Sequence, residues 1–388
     1  MKAEEDDKQA QILHCWQAAI AAVNGRSAVN AALQKAALDQ NNAYDYLIAI
    51  GKAASQMTLG AYDIFPSIKQ ALVITKRGHV DQALEHRKGL DIIESGHPIP
   101  DQQSLDAGAR LLAFINKIPH EGKIILLISG GASSLVEVLP EGINLAQLQA
   151  LNEQCMASGF AIDEINTRRA SLSLIKGGQL AHFLEGRETL ALYISDVVGD
   201  RLDVIGSGLV FHSKEQAANA IHHQIIANNK MACEAAMKAA QKLGLSVFFD
   251  EYLYHQDISI VADKIAIQLK HGKKGLYIWG GESTISLPAN PGKGGRNQAL
   301  ALCLAQKIAG LKDVSILVAG TDGNDGPTNA AGAWVDGSAL EAGQQMGLNV
   351  KDFEQQANAY RFFDPLDKLF KPGPSGTNVM DMVIALVN

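Results

Sequence analysis

The most constraining feature of the sequence is a series of short apolar segments, each closed by a polar, glycine-rich turn. The clearest segment is Lys123–Ile128, which ends at Ser129-Gly130-Gly131. Tyr46–Ile50 and Leu190–Ile194 end in similar turns, and helix-like stretches separate the segments. Strands that are apolar on both faces and alternate with helices indicate a parallel sheet that is covered on both sides. The first part of the chain is therefore predicted to be an α/β domain.

A second series of the same kind follows further along the chain. Strand-like segments begin at Ser246, Gly275 and Val314, and helices are predicted for Ile258–Leu269 and from Arg296 onward. The Ala-rich stretch 216–243 between the two series predicts one long helix. A chain of 388 residues is long enough for two domains of about 100–200 residues each. We place the boundary near residue 240, which gives domains 1–240 and 241–388.

Composition excludes several classes of protein. The formal net charge is -7, so the chain lacks the overall basic character of a nucleic-acid binder. The amino terminus reads MKAEEDDKQA, which is acidic where a signal peptide would be basic and apolar. No uninterrupted apolar run approaches the ~18 residues of a membrane span. The four cysteines have neither disulfide-framework nor zinc spacing, so we predict a cytoplasmic protein that binds no membrane.

The polar turns fall at the predicted carboxyl ends of the strands, which is where open α/β sheets bind ligands. Such turns occur in both halves of the chain, and we expect them to line a ligand site. They are Ile50-Gly51-Lys52, Ser129–Ser134, Ser195–Asp200, Gly280–Ser283 and Ala319–Gly323.

The turn Ser129–Ser134 has the composition of a phosphate site. Gly130 and Gly131 expose backbone N–H groups, and hydroxyl donors come from Ser129, Ser133 and Ser134. The following helix would add a positive N-terminus. A tight turn without any ligand explains the same sequence equally well, so both interpretations stay open.

Two cations accompany the turns. Lys52 is predicted to lie near the start of a helix, where a positive charge is unfavourable for the helix dipole, so an anionic ligand would explain it. Arg296 ends a glycine-rich loop and can clamp a carboxylate or a phosphate with two hydrogen bonds. The alternatives are a solvent-facing lysine and a mobile basic loop.

Carboxylates also follow the strands. Magnesium is commonly held by one or two carboxylates together with substrate phosphates, and we select Asp196 and Asp322 as candidate metal ligands. Asp is also a common turn residue, so some of these carboxylates are structural. His97 could contact a substrate or cap its turn. The sequence contains neither a P-loop, nor G-x-G-x-x-G after a strand, nor G-x-S-x-G. Phosphoryl transfer remains, because it needs cations, carboxylates and glycine turns but no protein nucleophile.

The motifs occur in the order found in a known family. They are Gly51-Lys52-Ala53, Gly96-His97-Pro98, Ile128–Gly131, Ile165-Asn166-Thr167, Ile175–Gly178, Ser195-Asp196-Val197, Gly280-Gly281-Glu282, Gly294–Gln298, Gly320–Gly323 and Gly376–Val379 with Asp381. Over nearly its whole length the chain resembles the class II glycerate kinases, the glycerate 2-kinases with a C-terminal MOFRL domain.

The resemblance implies a Rossmann-like parallel-sheet N-terminal domain and a smaller α/β C-terminal domain, with the active site in the cleft between them. It implies ATP-dependent phosphorylation of D-glycerate to 2-phosphoglycerate, with Mg²⁺, and is compatible with a homodimer. Lys52 and Arg296 match the catalytic cations proposed for the family. The candidate substrate-binding residues are His97, Asn166, Arg169, Glu282 and Asn297.

The sequence also departs from the family pattern. Ala132 stands where a third glycine is usual, Gln179 where Arg is usual, and Asn329 where Asp is common. These departures bear on the substrate and on the rate more than on the fold. Two other functions therefore stay open: an NAD(P)-dependent hydroxypyruvate reductase, and a catalytically inactive sensor that binds glycerate or nucleotide.

Overall fold

The computed structural model describes residues 2–37, 43–157, 168–211 and 221–388. The chain begins with helices α1 (Lys2–Val23) and α2 (Gly25–Ala37), which break where the sequence reads Asn24-Gly25. Contacts divide the chain into two compact units. The parallel-sheet unit comprises Val23–Asn228 and Gly376–Asn378, and the mixed-sheet unit comprises Met1–Ala22, Asn229–Ser375 and Val379–Asn388.

The parallel-sheet unit is built on six strands in its described residues, in the order β3-β2-β1-β4-β5-β6. All neighbouring strands pair in parallel. The strands are β1 (Tyr46–Ile50), β2 (Gln70–Lys76), β3 (Leu90–Ser95), β4 (Ile124–Ile128), β5 (Thr189–Ile194) and β6 (Ile221–Ala227). The helices after α2 are α3 (Ala54–Ile64), α4 (Gln102–Lys117), α5 (Ala132–Leu135), α6 (Leu145–Ala157) and α7 (Leu180–Phe183).

The central strands of this sheet are buried from end to end. Every residue of β4 is buried, and so are Leu47–Ile50 of β1, since α3 and α4 are among the helices that cover the sheet. Burial on both faces explains why these strands read as continuous apolar runs. The prediction of a parallel α/β sheet in this part of the chain is confirmed.

The mixed-sheet unit contains, within its described residues, six strands in the order β11-β10-β9-β12-β8-β7. They are β7 (Val247–Tyr254), β8 (Gly275–Gly281), β9 (Val314–Gly320), β10 (Gly332–Asp336), β11 (Leu369–Phe370) and β12 (Asp381–Val387). The helices that accompany α1 are α8 (Asn229–Lys242), α9 (Ile258–His271), α10 (Arg296–Lys307), α11 (Ala339–Gln345), α12 (Val350–Gln355) and α13 (Ala359–Phe363).

The last strand, β12, determines the topology of this second sheet. It lies between β8 and β9 and runs antiparallel to both. Its first residue, Asp381, therefore pairs with the last residues of the two neighbours, Gly281 and Gly320. Only β7 and β8 pair in parallel among the described strands of this unit. The smaller α/β C-terminal sheet that the resemblance implied is present, and it is mixed.

The first helix packs within the mixed-sheet unit. The Trp16 ring meets Phe370 edge to face, with ring centroids 4.9 Å apart, and Lys8 Nζ lies 3.4 Å from Asp313 Oδ1. Ile12 and Trp16 are buried, and this burial explains why α1 belongs to the mixed-sheet unit. The division into domains 1–240 and 241–388 stays a prediction.

One predicted element is wrong. The stretch 216–243 is not a single helix, because residues 221–227 form the edge strand β6 and only Asn229–Lys242 is helical. Residues 216–220 lie outside the described part of the chain. The alanines that suggest a helix belong mostly to α8, whereas β6 gains its hydrogen bonds by pairing with β5. This pairing is not visible in local composition.

A buried ion pair fixes the chain after β4. Lys176 Nζ donates to Glu137 Oε2, and both side chains are almost wholly buried, with exposed fractions of 1% and 0%. Ser173 Oγ donates to the other carboxylate oxygen, Glu137 Oε1, at 2.5 Å. Burial lowers the pKa of Lys176, and the Glu137 carboxylate opposes that effect. The pair therefore depends on both partners being present.

Glu137→Gln should destabilise the protein by about 3–5 kcal/mol, because it leaves a buried ammonium without its counter-charge. Arg110→Ala is the matched control. It breaks the exposed Arg110–Asp91 pair, and it should cost about 1 kcal/mol or less. Urea unfolding followed by circular dichroism measures both variants. Equal, small losses in the two variants would contradict a structural role for the buried pair.

Candidate functional site

The turns after β1 and β4 are joined by hydrogen bonds at the carboxyl edge of the parallel sheet. Lys52 N donates to Gly130 O at 2.9 Å, and Ser129 N donates to Ile50 O at 3.0 Å. Ala53 N donates to Ser129 Oγ at 3.1 Å. These bonds hold Lys52 just before α3, as the sequence predicts, and beside the Gly130-Gly131 turn.

The two glycines allow side chains to approach this turn very closely. A Cβ built on Gly131 would lie 2.9 Å from His97 Cδ2 and 3.3 Å from Lys52 Cγ. A Cβ on Gly130 would lie 2.0 Å from Asp196 Oδ2. Gly131 also has φ +86°, which favours glycine. The structure thus brings together four predicted elements of the site: Lys52, His97, the glycine turn and Asp196.

Asn378 also belongs to this cluster, although the sequence analysis did not select it as a candidate site residue. Its Nδ2 donates to Asp196 Oδ2 at 2.9 Å and lies 2.3 Å from the position of a Cβ on Gly130. Asn378 belongs to a three-residue segment that joins the parallel-sheet unit from far along the chain. The Gly376–Val379 motif was the available signal, but local sequence does not connect it to residue 130.

The serines of the turn mostly serve its internal structure. Ser129 Oγ accepts from Ala53 N, Ser134 Oγ donates to Gly131 O at 3.1 Å, and Ser133 Oγ lies 2.6 Å from Ser207 Oγ. The helix that follows, α5, is only four residues long. A helix this short adds little to the positive potential at the turn, so its contribution to a phosphate site stays a prediction. Backbone N–H groups of the glycines are the principal phosphate donors that this turn can offer.

Two candidate substrate-binding residues, Asn166 and Arg169, are not among the residues shown to meet at the glycine turn. Asn166 is outside the described residues. Arg169 is half-buried, and its positive charge contributes to the lowered pKa of Lys176, so it lies near the buried Lys176–Glu137 pair.

In the mixed-sheet unit, Arg296 and Glu282 form an ion pair. Arg296 begins α10 and donates through Nη2 to Glu282 Oε1, in the turn after β8. Burial works against the charge on Arg296, but the carboxylates of Glu282 and Asp381 outweigh it and raise the Arg296 pKa. The guanidinium side chain is still 43% exposed. It therefore lies at the surface of this sheet edge, where an anion can reach it.

Asp325 holds the start of the same helix. Its Oδ1 accepts from Asn297 N at 3.1 Å, and its Oδ2 accepts from Gln298 N at 2.8 Å. Burial raises the Asp325 pKa to about 6, against the effect of those two N–H donors. The carboxylate fixes the first turn of α10 and hence the position of Arg296.

Asp381 lies next to this group. Asn297 Nδ2 donates to Asp381 Oδ1 at 2.8 Å, so the predicted substrate residue Asn297 has its amide donor directed at a protein carboxylate. Burial raises the Asp381 pKa to about 7, while the charge of Arg296 acts in the opposite direction. Like Asn378, Asp381 belonged to the recognised motifs but was not selected as a site residue.

The two candidate metal ligands lie in the turns predicted for them. Asp196 follows β5 beside Gly130, and Asp322 follows β9, where its Oδ1 accepts from Asn324 N at 3.0 Å. In the described parts of the chain, no three His, Cys, Asp or Glu side chains cluster so as to hold a metal ion by themselves. One carboxylate beside a glycine turn does fit magnesium, which takes many of its ligands from phosphate and water.

Helices that could cross a membrane are absent from the described residues, since none combines the necessary length and apolar character.

These features define an α/β protein of two units, with a glycine turn beside a lysine in one sheet and an arginine–carboxylate cluster at the edge of the other. Comparison with known families matches residues 11–243 to a domain of unknown function, DUF4147, and residues 275–381 to the MOFRL family. The chain therefore belongs to the family of class II glycerate kinases with a MOFRL domain.

Individual relatives bear names of two kinds, glycerate kinase and putative hydroxypyruvate reductase. The D-glycerate 2-kinase of Thermotoga maritima is 32% identical over 88% of this chain and 90% of its own length. A putative hydroxypyruvate reductase of Agrobacterium vitis is 31% identical over 88% of this chain and 98% of its own. The crystal structure of the T. maritima glycerate kinase superposes with a TM-score of 0.85 and 30% identity, covering 99% of this chain and 100% of that one.

The raised pKa of Asp325 predicts a pH dependence of stability. Its folded pKa of about 6 exceeds the ordinary value of 3.8, so the folded state keeps a proton that the unfolded state releases. The stability that this group contributes is present below about pH 4 and is lost as the pH rises to about 6.

The unfolding free energy of the wild type minus that of Asp325→Asn should therefore decrease by on the order of 2 kcal/mol between those pH values. Denaturant unfolding at several pH values measures it. Asp257→Asn, at the exposed cap of α9, is the control and should show no such decrease, because the Asp257 pKa is lowered by its bonds to Ser259. Parallel curves for wild type and Asp325→Asn would contradict the assignment.

Proposed function

We propose that this protein is a glycerate 2-kinase, which transfers the γ-phosphoryl group of ATP to the 2-hydroxyl of D-glycerate and forms 2-phosphoglycerate. The observation that carries the proposal is the convergence of Lys52, His97 and Asp196 on the Gly130-Gly131 turn. This is a set of cation, carboxylate and backbone donors, which phosphoryl transfer requires. The glycerate kinases among its relatives supply the substrate class.

In this proposal the parallel-sheet unit binds the phosphates of ATP. The backbone N–H groups of Gly130 and Gly131 receive phosphate oxygens, with the side chains of Asp196 and His97 close beside the turn. Lys52 stabilises negative charge that grows on the transferring phosphoryl group and its leaving oxygen. His97, which lies against Gly131, contacts the substrate.

Arg296 is proposed to bind the carboxylate of D-glycerate. An arginine can hold a carboxylate through two parallel hydrogen bonds, and this one is partly exposed. In the described conformation the guanidinium of Arg296 donates a hydrogen bond to Glu282. The carboxylate of glycerate would therefore have to replace the carboxylate of Glu282. Glu282 thereby keeps Arg296 oriented until substrate binds. Asn166 and Arg169 stay as proposed substrate contacts.

Magnesium is the proposed metal, with Asp196 and Asp322 as its protein ligands. When bound, it would neutralise phosphate charge and orient the phosphate chain. Asn378 holds one oxygen of Asp196, which fixes the direction of the other oxygen. These residues bind and orient, and no bond of the protein is made or broken.

The relative named as a putative hydroxypyruvate reductase motivates one competing function. A reductase would need a nicotinamide site, and the sequence lacks G-x-G-x-x-G after a strand. An inactive sensor would not require Lys52, Asp196 and Arg296 together. The kinase is therefore the preferred function.

The purified protein should release ADP from Mg-ATP only when D-glycerate is present, as measured by a coupled assay, and the product should be 2-phosphoglycerate by NMR. Oxidation of NADH or NADPH with hydroxypyruvate should stay at background. Thermal stabilisation by glycerate or nucleotide without any ADP release would favour the sensor, and steady nicotinamide oxidation would favour the reductase.

Lys52→Ala should lower kcat by about 100–1,000-fold with little change in ATP affinity, because Lys52 acts mainly on charge that develops in the transition state. Lys52→Arg should recover only part of that loss. Arg296→Ala should raise the KM for glycerate more than the KM for ATP. Steady-state kinetics measure these effects.

Lys117→Ala and Arg361→Ala, on exposed helix positions, are the matched controls and should behave as the wild type. Melting curves exclude unfolding. Near-normal kcat in Lys52→Ala would remove the chemical basis of the kinase proposal.

A further inference from the structure

Asp381 lies at the ligand edge of the mixed sheet although it begins its strand. Because β12 is antiparallel to its neighbours, Asp381 pairs with the final residues of β8 and β9, Gly281 and Gly320. Directly paired residues point to the same face of a sheet. Since both partners are glycines, the directly paired positions of the neighbouring strands place no side chain beside Asp381. A Cβ on Gly320 would lie only 3.3 Å from Asp381 Oδ1.

The two oxygens of Asp381 have different surroundings. Oδ1 accepts the hydrogen bond from Asn297, whereas Oδ2 is buried and has no hydrogen-bond partner. The Tyr254 hydroxyl and Asn297 Oδ1 are also buried without partners. Asp381 is 6% exposed, Tyr254 7% and Asn297 2%. Buried polar atoms almost always have a partner, so this group of three marks a position where a ligand with polar hydrogens would bind.

The neighbouring carboxylates already accept hydrogen bonds from other residues. Asp325 uses both oxygens to accept backbone N–H groups of α10, and Glu282 accepts from Arg296. Among the carboxylates of this cluster, Asp381 is the one with a buried oxygen that accepts no hydrogen bond from the described residues. It is therefore the carboxylate of the cluster best placed to take a proton.

We propose that Asp381 is the catalytic residue that accepts the proton of the substrate hydroxyl, an inference that rests on the proposed kinase function. A lone pair of the hydroxyl oxygen forms the new bond to the γ-phosphorus. The bond from that phosphorus to the β–γ bridging oxygen breaks, and ADP leaves with its electron pair. The hydroxyl proton moves to Asp381 Oδ2, directly or through one water, and later to solvent.

The charges around Asp381 suit this role. Burial, the negative charges of Glu282 and Asp325, and the opposing positive charge of Arg296 together give a pKa of about 7. The Tyr254 hydroxyl also interacts with Asp381; its own pKa is raised well above 10, so this hydroxyl is neutral. A base with a pKa near the working pH can both accept and release a proton.

The test is the pH profile of kcat at saturating Mg-ATP and D-glycerate. In the wild type, kcat should fall about tenfold per pH unit below about pH 7, because Asp381 becomes protonated. Asp381→Asn keeps a carbonyl oxygen for the Asn297 amide but cannot accept the proton. It should lower kcat by about 100–10,000-fold, remove the acidic fall in kcat and change both KM values little.

Asp263→Asn, on an exposed position of α9, is the control and should keep the wild-type profile. If Asp381→Asn does not fold, the wild-type profile decides alone: a flat kcat from about pH 5.5 to about pH 8 overturns the proposal. An active wild type with an Asp381→Asn variant of unchanged kcat and profile also overturns it and leaves the kinase function intact. A wild type that releases no ADP refutes the kinase function itself.

Discussion

The candidate site depends on close approaches that a Cβ atom would prevent. At the edge of the parallel sheet, the chain at Gly130 and Gly131 lies against Asp196 and His97 at distances that only glycine allows. At the edge of the mixed sheet, a Cβ on Gly281 would lie 2.1 Å from Tyr254 O, and a Cβ on Gly320 would lie 3.3 Å from Asp381 Oδ1. At these positions charged side chains lie close to backbone groups. Gly131 also has φ +86°, a backbone conformation that favours glycine whatever the surrounding space.

The second constraint is electrostatic. The mixed-sheet unit buries Asp325 and Asp381 near Arg296, and burial raises the pKa of both carboxyl groups. Desolvation of this kind costs stability unless hydrogen bonds or a counter-charge compensate it. Asp325 is compensated by the first N–H groups of α10. Asp381 is compensated only in part, by the amide of Asn297 and the charge of Arg296, because its other oxygen has no hydrogen-bond partner among the described residues.

Much of the fold and part of the site could be predicted. The strands β1, β4 and β5 are apolar because both faces are buried, and their glycine turns mark the ligand edge. The strand β6 could not be predicted, because its helix-like composition is overridden by hydrogen bonds to β5. The contacts of Asn378 and Asp381 could not be predicted for a related reason. Each reaches its partners, Asp196 and Asn297, only across long sequence separations.

The sequence by itself determined which segments become buried strands, where they turn, and that Lys52 precedes α3, because these depend on apolar periodicity and on the conformational freedom of glycine. The tertiary structure decided that β12 enters between β8 and β9, that α1 packs in the mixed-sheet unit, and that Asp381 keeps an oxygen without a partner. Those outcomes depend on hydrogen bonds and desolvation between residues far apart in the chain. Local propensity carries no information about either of them.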